Sequence, residues 1–361
     1  MRITHVTTPW PPLLRGNRTD FPLANGGPRG YSPLRRGGRG GVEILLLISL
    51  FLSLSGCIFN QVSLFPRVAP LKETVVEGSG TEKILLLDLS GVISEESIAD
   101  GGSPLGGGAV EPSMVARVKE ELQKATKDNH IRAVVLRINS PGGTVTASDI
   151  IYHEVMQFKE KTGKKVIASI GGIGASGGYY IAAAADQIVA NPTAITGSIG
   201  VIMLHFNVQG LLEKIGVGTE AIKSGPYKDM ASPFREISPE DRKILQDKIN
   251  SMYERFLEVV AKGRKQIDPG EMRAIADGRI YTSEEAKKLN LIDQIGYLDA
   301  AINLAKQEAG LTDAKVVLYN RPHRYANNIY SKTALTPDWM SADPRSLLRE
   351  RSSNFFYLWM P

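Results

Sequence analysis

Short apolar runs alternate with segments of helical period through the middle of this chain. Ile84 to Leu89, Ala133 to Ile138, Val166 to Ile170 and Gln187 to Ala190 are too continuously apolar for a strand with one wet face, so they predict strands buried on both sides. Between them, Pro112 to Lys127 places Met114, Val115, Val118 and Leu122 on one helical face, and Ala147 to Lys161 and the alanine-rich Tyr179 to Ala185 predict two further helices. Ile199 to Leu204 predicts another strand. Ser238-Pro239-Glu240-Asp241 gives an N-cap, a proline at N1 and an acidic first turn for a helix reaching Lys262, and Thr282-Ser283-Glu284-Glu285 caps another. Strands alternating with helices predict parallel βαβ units with right-handed crossovers, an α/β fold. There is no repeat period. Gly101 to Gly108 reads as a flexible loop, and from about Thr312 the pattern decays into a basic, aromatic tail.

The N-terminal part follows different rules. Residues 1–41 are rich in Gly, Pro and Arg, and Ile44 to Gly56 is then an unbroken apolar or small-residue run preceded by Arg35, Arg36 and Arg39, the charge order of an export signal. At about thirteen residues the run is short for a membrane span, which needs about twenty. It ends in Leu54-Ser55-Gly56-Cys57, which resembles the lipobox of bacterial lipoproteins and makes Cys57 the expected lipidation site; an uncleaved signal anchor through Phe59 is the alternative. A translation start near Val42 would account for the long arm before the run. The expected organisation is a leader over residues 1–57, a linker over 58–81, one catalytic domain over 82–311 and a tail over 312–361.

Charge and cysteine content narrow the function. The formal charge of +5 arises within residues 1–57, where seven arginines face Asp20 and Glu43; the rest of the chain carries as many acidic as basic side chains. That balance, with no basic stripe studded by aromatics, argues against nucleic acid as a partner. A single cysteine excludes an intramolecular disulfide and a His/Cys zinc cluster, and no metal or cofactor is expected.

The candidate chemistry sits in glycine-rich turns. Ser176 lies in Gly174-Ala175-Ser176-Gly177-Gly178-Tyr179-Tyr180, between a predicted strand and a predicted helix, where a turn pushes a hydroxyl out of the sheet and the free N–H groups of the helix start face a developing oxyanion. Ser140-Pro141-Gly142-Gly143 follows another predicted strand and offers bare backbone N–H groups. Ser224-Gly225-Pro226-Tyr227-Lys228-Asp229 supplies a lysine. A serine hydroxyl needs a base at neutral pH, and a lysine serves only when neutral, which requires burial or nearby positive potential. An ion pair with Asp229 would hold Lys228 charged, so Asp229 is expected to point elsewhere.

Four segments in order, Arg137 to Gly143, Gly174 to Tyr180, Thr196 to Ile202 and Lys223 to Pro233, resemble the bacterial signal peptide peptidase A family in its short form, over roughly Lys83 to Ala309. The resemblance implies a Clp-protease-like, crotonase-type fold of repeated ββα units behind an N-terminal membrane-targeting segment. It implies a membrane-attached Ser-Lys peptidase, on the extracytoplasmic side, that degrades cleaved signal peptides and other hydrophobic peptides. It makes Ser176 the nucleophile, Lys228 the general base, Ser198 the hydroxyl that orients the lysine, and Gly143 and Gly177 the oxyanion-hole donors. It also implies ring-like homo-oligomers, octamers in the short form.

Competing readings remain. Lys223 competes with Lys228, and a Ser-His-Asp arrangement could draw on His205 and Asp186. Gly172-x-Gly174-x-x-Gly177 matches a dinucleotide fingerprint, as in an oxidoreductase, but Asn191 to Gly200 lacks the acid that such a site needs. An inactive membrane scaffold or an acyl-CoA binder on the same fold is the other alternative. Apolar walls around a glycine-lined cleft suit extended peptides with small or Leu-like side chains.

Overall fold

The computed structural model describes residues 70–96, 98–99, 110–321 and 355–359. The leader, Cys57, the Gly101 to Gly108 loop and most of the tail lie outside the described residues. Contacts divide the chain into Met1–Val62 and Ser63–Pro361, and all described residues belong to the second unit.

In chain order the strands are β1 (Lys72–Glu77), β2 (Lys83–Ser90), β3 (Ile98–Ala99), β4 (Val110–Glu111), β5 (Ile131–Ser140), β6 (Gly142–Thr144), β7 (Lys165–Ala175), β8 (Gln187–Ala190), β9 (Ile195–Gly197), β10 (Ile202–Met203), β11 (Ile280–Thr282), β12 (Gln294–Ile295), β13 (Lys315–Asn320) and β14 (Phe355–Leu358). The helices are α1 (Met114–Lys127), α2 (Val145–Thr162), α3 (Gly177–Ala182), α4 (Gln209–Lys214), α5 (Pro239–Gly263), α6 (Met272–Ile275), α7 (Ser283–Lys288) and α8 (Leu298–Glu308). The main sheet runs β1-β13-β2-β5-β7-β8-β12, and the far half of β7 also pairs with β9, which carries β11. From β13 to β12 the neighbours along this path are parallel, as the continuous apolar runs require.

Side chains alternate across the sheet with period two. Leu85, Leu87 and Leu89 join the core beneath α1, α2, α3 and α5, whereas Ile84 and Leu86 turn to the other face and pack with Leu298, Ala301, Ile302 and Ala305 of α8. The helix starts follow the expected chemistry: Ser113, Thr144, Ser238 and Thr282 each accept an N–H from the first turn of their helix, and Thr282 closes a capping box with Glu285.

Two boundaries differ from expectation. β13, inside the residues read as tail, is an inner strand of the sheet, and β1, inside the residues read as linker, pairs antiparallel along its outer side. β13 is only six residues between polar flanks and β1 alternates exposed with half-buried positions, so neither carries the long apolar run that marks the central strands. The alanine-rich helix also begins two residues early and ends at Ala182. Ala184 and Ala185 bond back three residues, and the Asp186 N–H then joins the Val166 carbonyl, which delivers the chain to β8.

Candidate active site

β7 ends at Ala175, and Ser176 follows with φ 52° and ψ −115°, nearly sealed from solvent. Positive φ is costly for a residue with a side chain, roughly 1–3 kcal/mol, and persists only where the surroundings fix it. Here the Ser176 N–H donates to the Gly197 carbonyl at 2.8 Å, and its own carbonyl accepts the Tyr180 N–H at 2.8 Å, the first turn of α3. Its hydroxyl makes no capping bond, so the strained serine is not explained by helix capping. α3 has only six residues; the local polarity comes from first-turn N–H groups more than from a long helix dipole.

Glycines pack around this turn more closely than any side chain permits. A Cβ on Gly177 would lie 2.4 Å from Ser148 Oγ and 3.2 Å from the Gly142 Cα, and one on Gly142 would lie 2.7 Å from the Gly177 nitrogen. Gly142 also adopts φ 104°, open to glycine at little cost. The Ser140 hydroxyl accepts the Gly142 N–H at 3.1 Å and fixes the turn. The structure therefore brings Gly142, Gly143, Ser176 and Gly177 into one neighbourhood.

One edge of β6 is occupied by Ile93, whose N–H donates to the Gly142 carbonyl and whose carbonyl accepts the Thr144 N–H, both at 2.9 Å. This leaves the Gly143 N–H and carbonyl for the opposite edge. That edge holds β14, antiparallel, with Tyr357 opposite Gly143 and Leu358 opposite Gly142, and the Trp359 N–H donates to the Pro141 carbonyl at 2.8 Å. In an antiparallel ladder bonded pairs alternate with unbonded ones, so the Gly143 N–H faces the Tyr357 carbonyl. The small sheet is completed by β10, which pairs with Phe355 and Phe356.

Ser198 stands beside this centre. It too has positive φ, 50°, is largely buried, and donates its N–H to the Arg279 carbonyl at 2.7 Å, directly after the Gly197 that accepts from Ser176. Lys228 is placed differently. It lies exposed in the loop after Gly225, and its ammonium forms no hydrogen bond or ion pair with Ser176 or with any other described residue. Asp229 turns away from it: its carboxylate accepts from Lys223 at 2.8 Å and from Arg235 at 3.0 Å. The bond from Arg235, and then that from Lys223, pull the Asp229 carboxyl down to about 2. Lys223 is thus engaged, while Lys228 is not.

The histidine alternative fails on geometry. Asp186 accepts the Val166 N–H and pairs with Lys159 at the start of β7, whereas Ser176 follows the end of that strand; Val166 and Gly174 lie opposite Val134 and Ser140 of β5, about 20 Å apart at the usual strand rise. His205 bonds to the Ser232 carbonyl instead. Among the described residues no cluster of His, Cys, Asp or Glu is arranged to hold a metal. Neither β14 nor Ile93 was foreseen from sequence. Phe355 to Leu358 is an apolar run of strand-forming residues, and its isolation near the chain's end hid it.

The model of peptidase family S49 matches residues 158–312, and that of Clp protease matches residues 105–207, the part of the chain that forms the Ser176 turn and the strands beneath it. The signal peptide peptidase SppA of Enterococcus faecium is 40% identical over 255 residues, 69% of this chain and 70% of that one. A protease of Synechocystis sp. is 46% identical over 195 residues, 54% of this chain and 69% of its own. Protease 4 of Salmonella typhi is 39% identical over 191 residues, 53% of this chain but 30% of its own length. With a Clp-protease-like fold and a buried, strained serine in the matched segment, the chain belongs to the signal peptide peptidase A family of serine peptidases, peptidase family S49.

Proposed function

We propose that this chain is a membrane-held Ser-Lys endopeptidase that degrades cleaved signal peptides and other extended hydrophobic peptides. The observation that carries the reading is Ser176: a serine held at positive φ, with its hydroxyl unused for capping, beside backbone N–H groups of two glycine turns. Lys228 takes the Ser176 proton as Oγ attacks the scissile carbonyl, and the Gly143 and Gly177 N–H groups receive the developing oxyanion. Lys228 then returns the proton to the leaving amine, and water releases the acyl group. Ser198 positions the lysine.

The lysine's exposure in the single chain has a physical consequence. A base of this kind must be desolvated, and the segment that carries it also exposes Phe206, Leu211, Ile215, Ile222, Tyr227 and Phe234. So many apolar side chains along one segment suit a covered surface. Packing of a neighbouring copy there, in the ring-like homo-oligomer that the family resemblance implies, an octamer, would bury the segment and bring Lys228 into an apolar setting. Among the described residues no helix is long and apolar enough to cross a membrane, so attachment is assigned to the leader, through lipid on Cys57 or an uncleaved anchor, with the catalytic domain on the extracytoplasmic side.

The test is to incubate the full chain in detergent with a leucine-rich signal peptide, beside Ser176→Ala, and to identify products by mass spectrometry. Internal cleavage by the wild type alone supports the reading. Equal behaviour of the two proteins would favour the inactive scaffold.

A further inference from the structure

The segment that carries Lys228 is fastened to the rest of the domain right beside the lysine. Tight turns follow one another there: the Lys228 N–H donates to the Gly225 carbonyl at 3.2 Å, the Met230 N–H to the Tyr227 carbonyl at 3.1 Å and the Ser232 N–H to the Asp229 carbonyl at 3.0 Å. Ala231, within the last of them, holds φ 61°, a costly conformation for a residue with a side chain that persists only where the surroundings fix it. Arg235 joins this turn to α5. Its Nη2 donates to Asp229 Oδ1 at 3.0 Å, while its Nη1 stands 2.6 Å from Asp241 Oδ2 and donates to the Glu236 carbonyl at 2.8 Å. Asp241 lies in the first turn of α5 and is nearly sealed from solvent. A buried carboxylate that loses its cation is left uncompensated, so this end of the link is firmly set.

α5 is itself packed against the helix that follows Ser176. About four turns beyond Asp241, Phe256 meets Tyr180 edge-on at 4.9 Å, and the Tyr180 N–H donates to the Ser176 carbonyl. Asp229, Arg235 and Asp241 thus connect the residue after the lysine to the helix that braces the Ser176 turn. Lys223, the other cation on Asp229, makes no such link: its further bond is to the Pro226 carbonyl of its own loop, at 3.3 Å. The charged side chains that meet here are Lys223, Asp229, Arg235 and Asp241, and none of them bonds to Lys228. On the reading of Lys228 as general base, we propose that Arg235 is the positioning residue for that base, a cationic link that fixes the Lys228 turn to the start of α5. With Arg235 in place, Asp229 is turned away from Lys228 and the ammonium is held at one site, ready to lose its water when the segment is covered. Without Arg235 the turn is free to shift, the lysine keeps more of its water, and the adjacent carboxylate has one cation fewer to hold it away. Water and a nearby carboxylate both favour the charged lysine, which cannot accept the Ser176 proton.

The experiment measures kcat and KM on a leucine-rich peptide across pH for the full chain in detergent, as wild type, Arg235→Gln, Asp241→Asn, Lys223→Ala and Lys228→Ala, with Tm and assembly followed on the same samples. For the wild type kcat/KM should rise with pH as Lys228 loses its proton, and the midpoint of that rise does not depend on how much of a sample is folded. In Arg235→Gln, and in Asp241→Asn, which breaks the link at its other end, the midpoint should move up by about one unit, a loss of about tenfold at a pH well below it, carried by kcat rather than KM. Lys223→Ala removes a cation from the same carboxylate without touching the link to α5 and should keep the wild-type midpoint. A role in folding alone would lower the Tm of Arg235→Gln and leave the midpoint in place, and that result overturns the inference, as does an equal shift in Lys223→Ala. If Lys228→Ala keeps the wild-type rate and profile, the base lies elsewhere, the Ser-Lys reading fails and this inference falls with it.

Discussion

Replacing Gly177 by alanine places a methyl group where the structure has no room for one. The new Cβ would stand 2.4 Å from Ser148 Oγ, 3.1 Å from the Tyr357 carbonyl oxygen and 3.2 Å from the Gly142 Cα. Only the first of these is a short side chain with somewhere to turn, and Ser148 Oγ is itself buried and donates to the Thr144 carbonyl at 2.9 Å. Overpacking of this kind costs about 1–3 kcal/mol, and turning Ser148 away forfeits a buried hydrogen bond of about 1 kcal/mol. If the strain is relieved by moving the backbone instead, the Gly177 N–H leaves the place proposed for it at the oxyanion, and losing one such donor lowers kcat about 100- to 1000-fold. Both outcomes are measurable on one sample, by thermal unfolding and by the rate of signal-peptide hydrolysis. A second variant, Gly177→Ala with Ser148→Ala, removes the closest atom and should recover part of the loss in both measurements. The reasoning is refuted if Gly177→Ala retains the wild-type Tm and a kcat within about threefold, or if the Ser148 change makes matters worse by the full sum of the two single effects.

Ile222 is almost wholly exposed on the lysine-bearing segment. Ile222→Glu should therefore leave the circular dichroism of the chain unchanged, abolish assembly in light scattering and lower kcat/KM at least tenfold; an intact assembly with full activity would remove this face from the interface. Lys223→Ala deletes one of two cationic partners of Asp229 and leaves Arg235 in place, so its activity should stay within a few-fold of wild type, because solvent screens an exposed pair. Glu121 is buried beside Arg117, and burial pushes its carboxyl up to about 7 from an ordinary 4.5. An acid whose pKa is higher folded than unfolded contributes stability that is complete below the lower value and lost as pH rises through the higher one. The Tm of the wild type relative to Glu121→Gln should accordingly fall from about pH 5 to about pH 8; a relative Tm that rises over that range would mean that the folded state holds Glu121 ionised.

The central sheet and the Ser176 turn were legible in the sequence because both rest on local signals. A parallel strand covered on both faces needs a continuous apolar run, and Ile84 to Leu89 and Ala133 to Ile138 are such runs. Gly142, Gly143 and Gly177 were legible as tight turns because only glycine fits there, and their close approaches bear that out. What was hidden depends on partners distant in sequence. β13 is buried by β1 and β2 on its two edges, and its own six residues do not announce that. β14 gains its place from a register with β6, far earlier in the chain, and Ile93 from the other edge of the same strand. The setting of Lys228 was not legible either: a loop lysine in sequence is an exposed loop lysine in the single chain, and the burial proposed for it would come only with assembly.

Ser176 and Lys228 are assigned here to act as one unit. The most direct test of that assignment is kcat/KM on a leucine-rich peptide for Ser176→Ala, Lys228→Ala and the double variant, each confirmed as folded and assembled. The expected result is that each single change removes nearly all activity and that the double variant is little worse than either, since groups acting together are not additive. Retention of most of the wild-type rate by Lys228→Ala, or losses that multiply in the double variant, would contradict it.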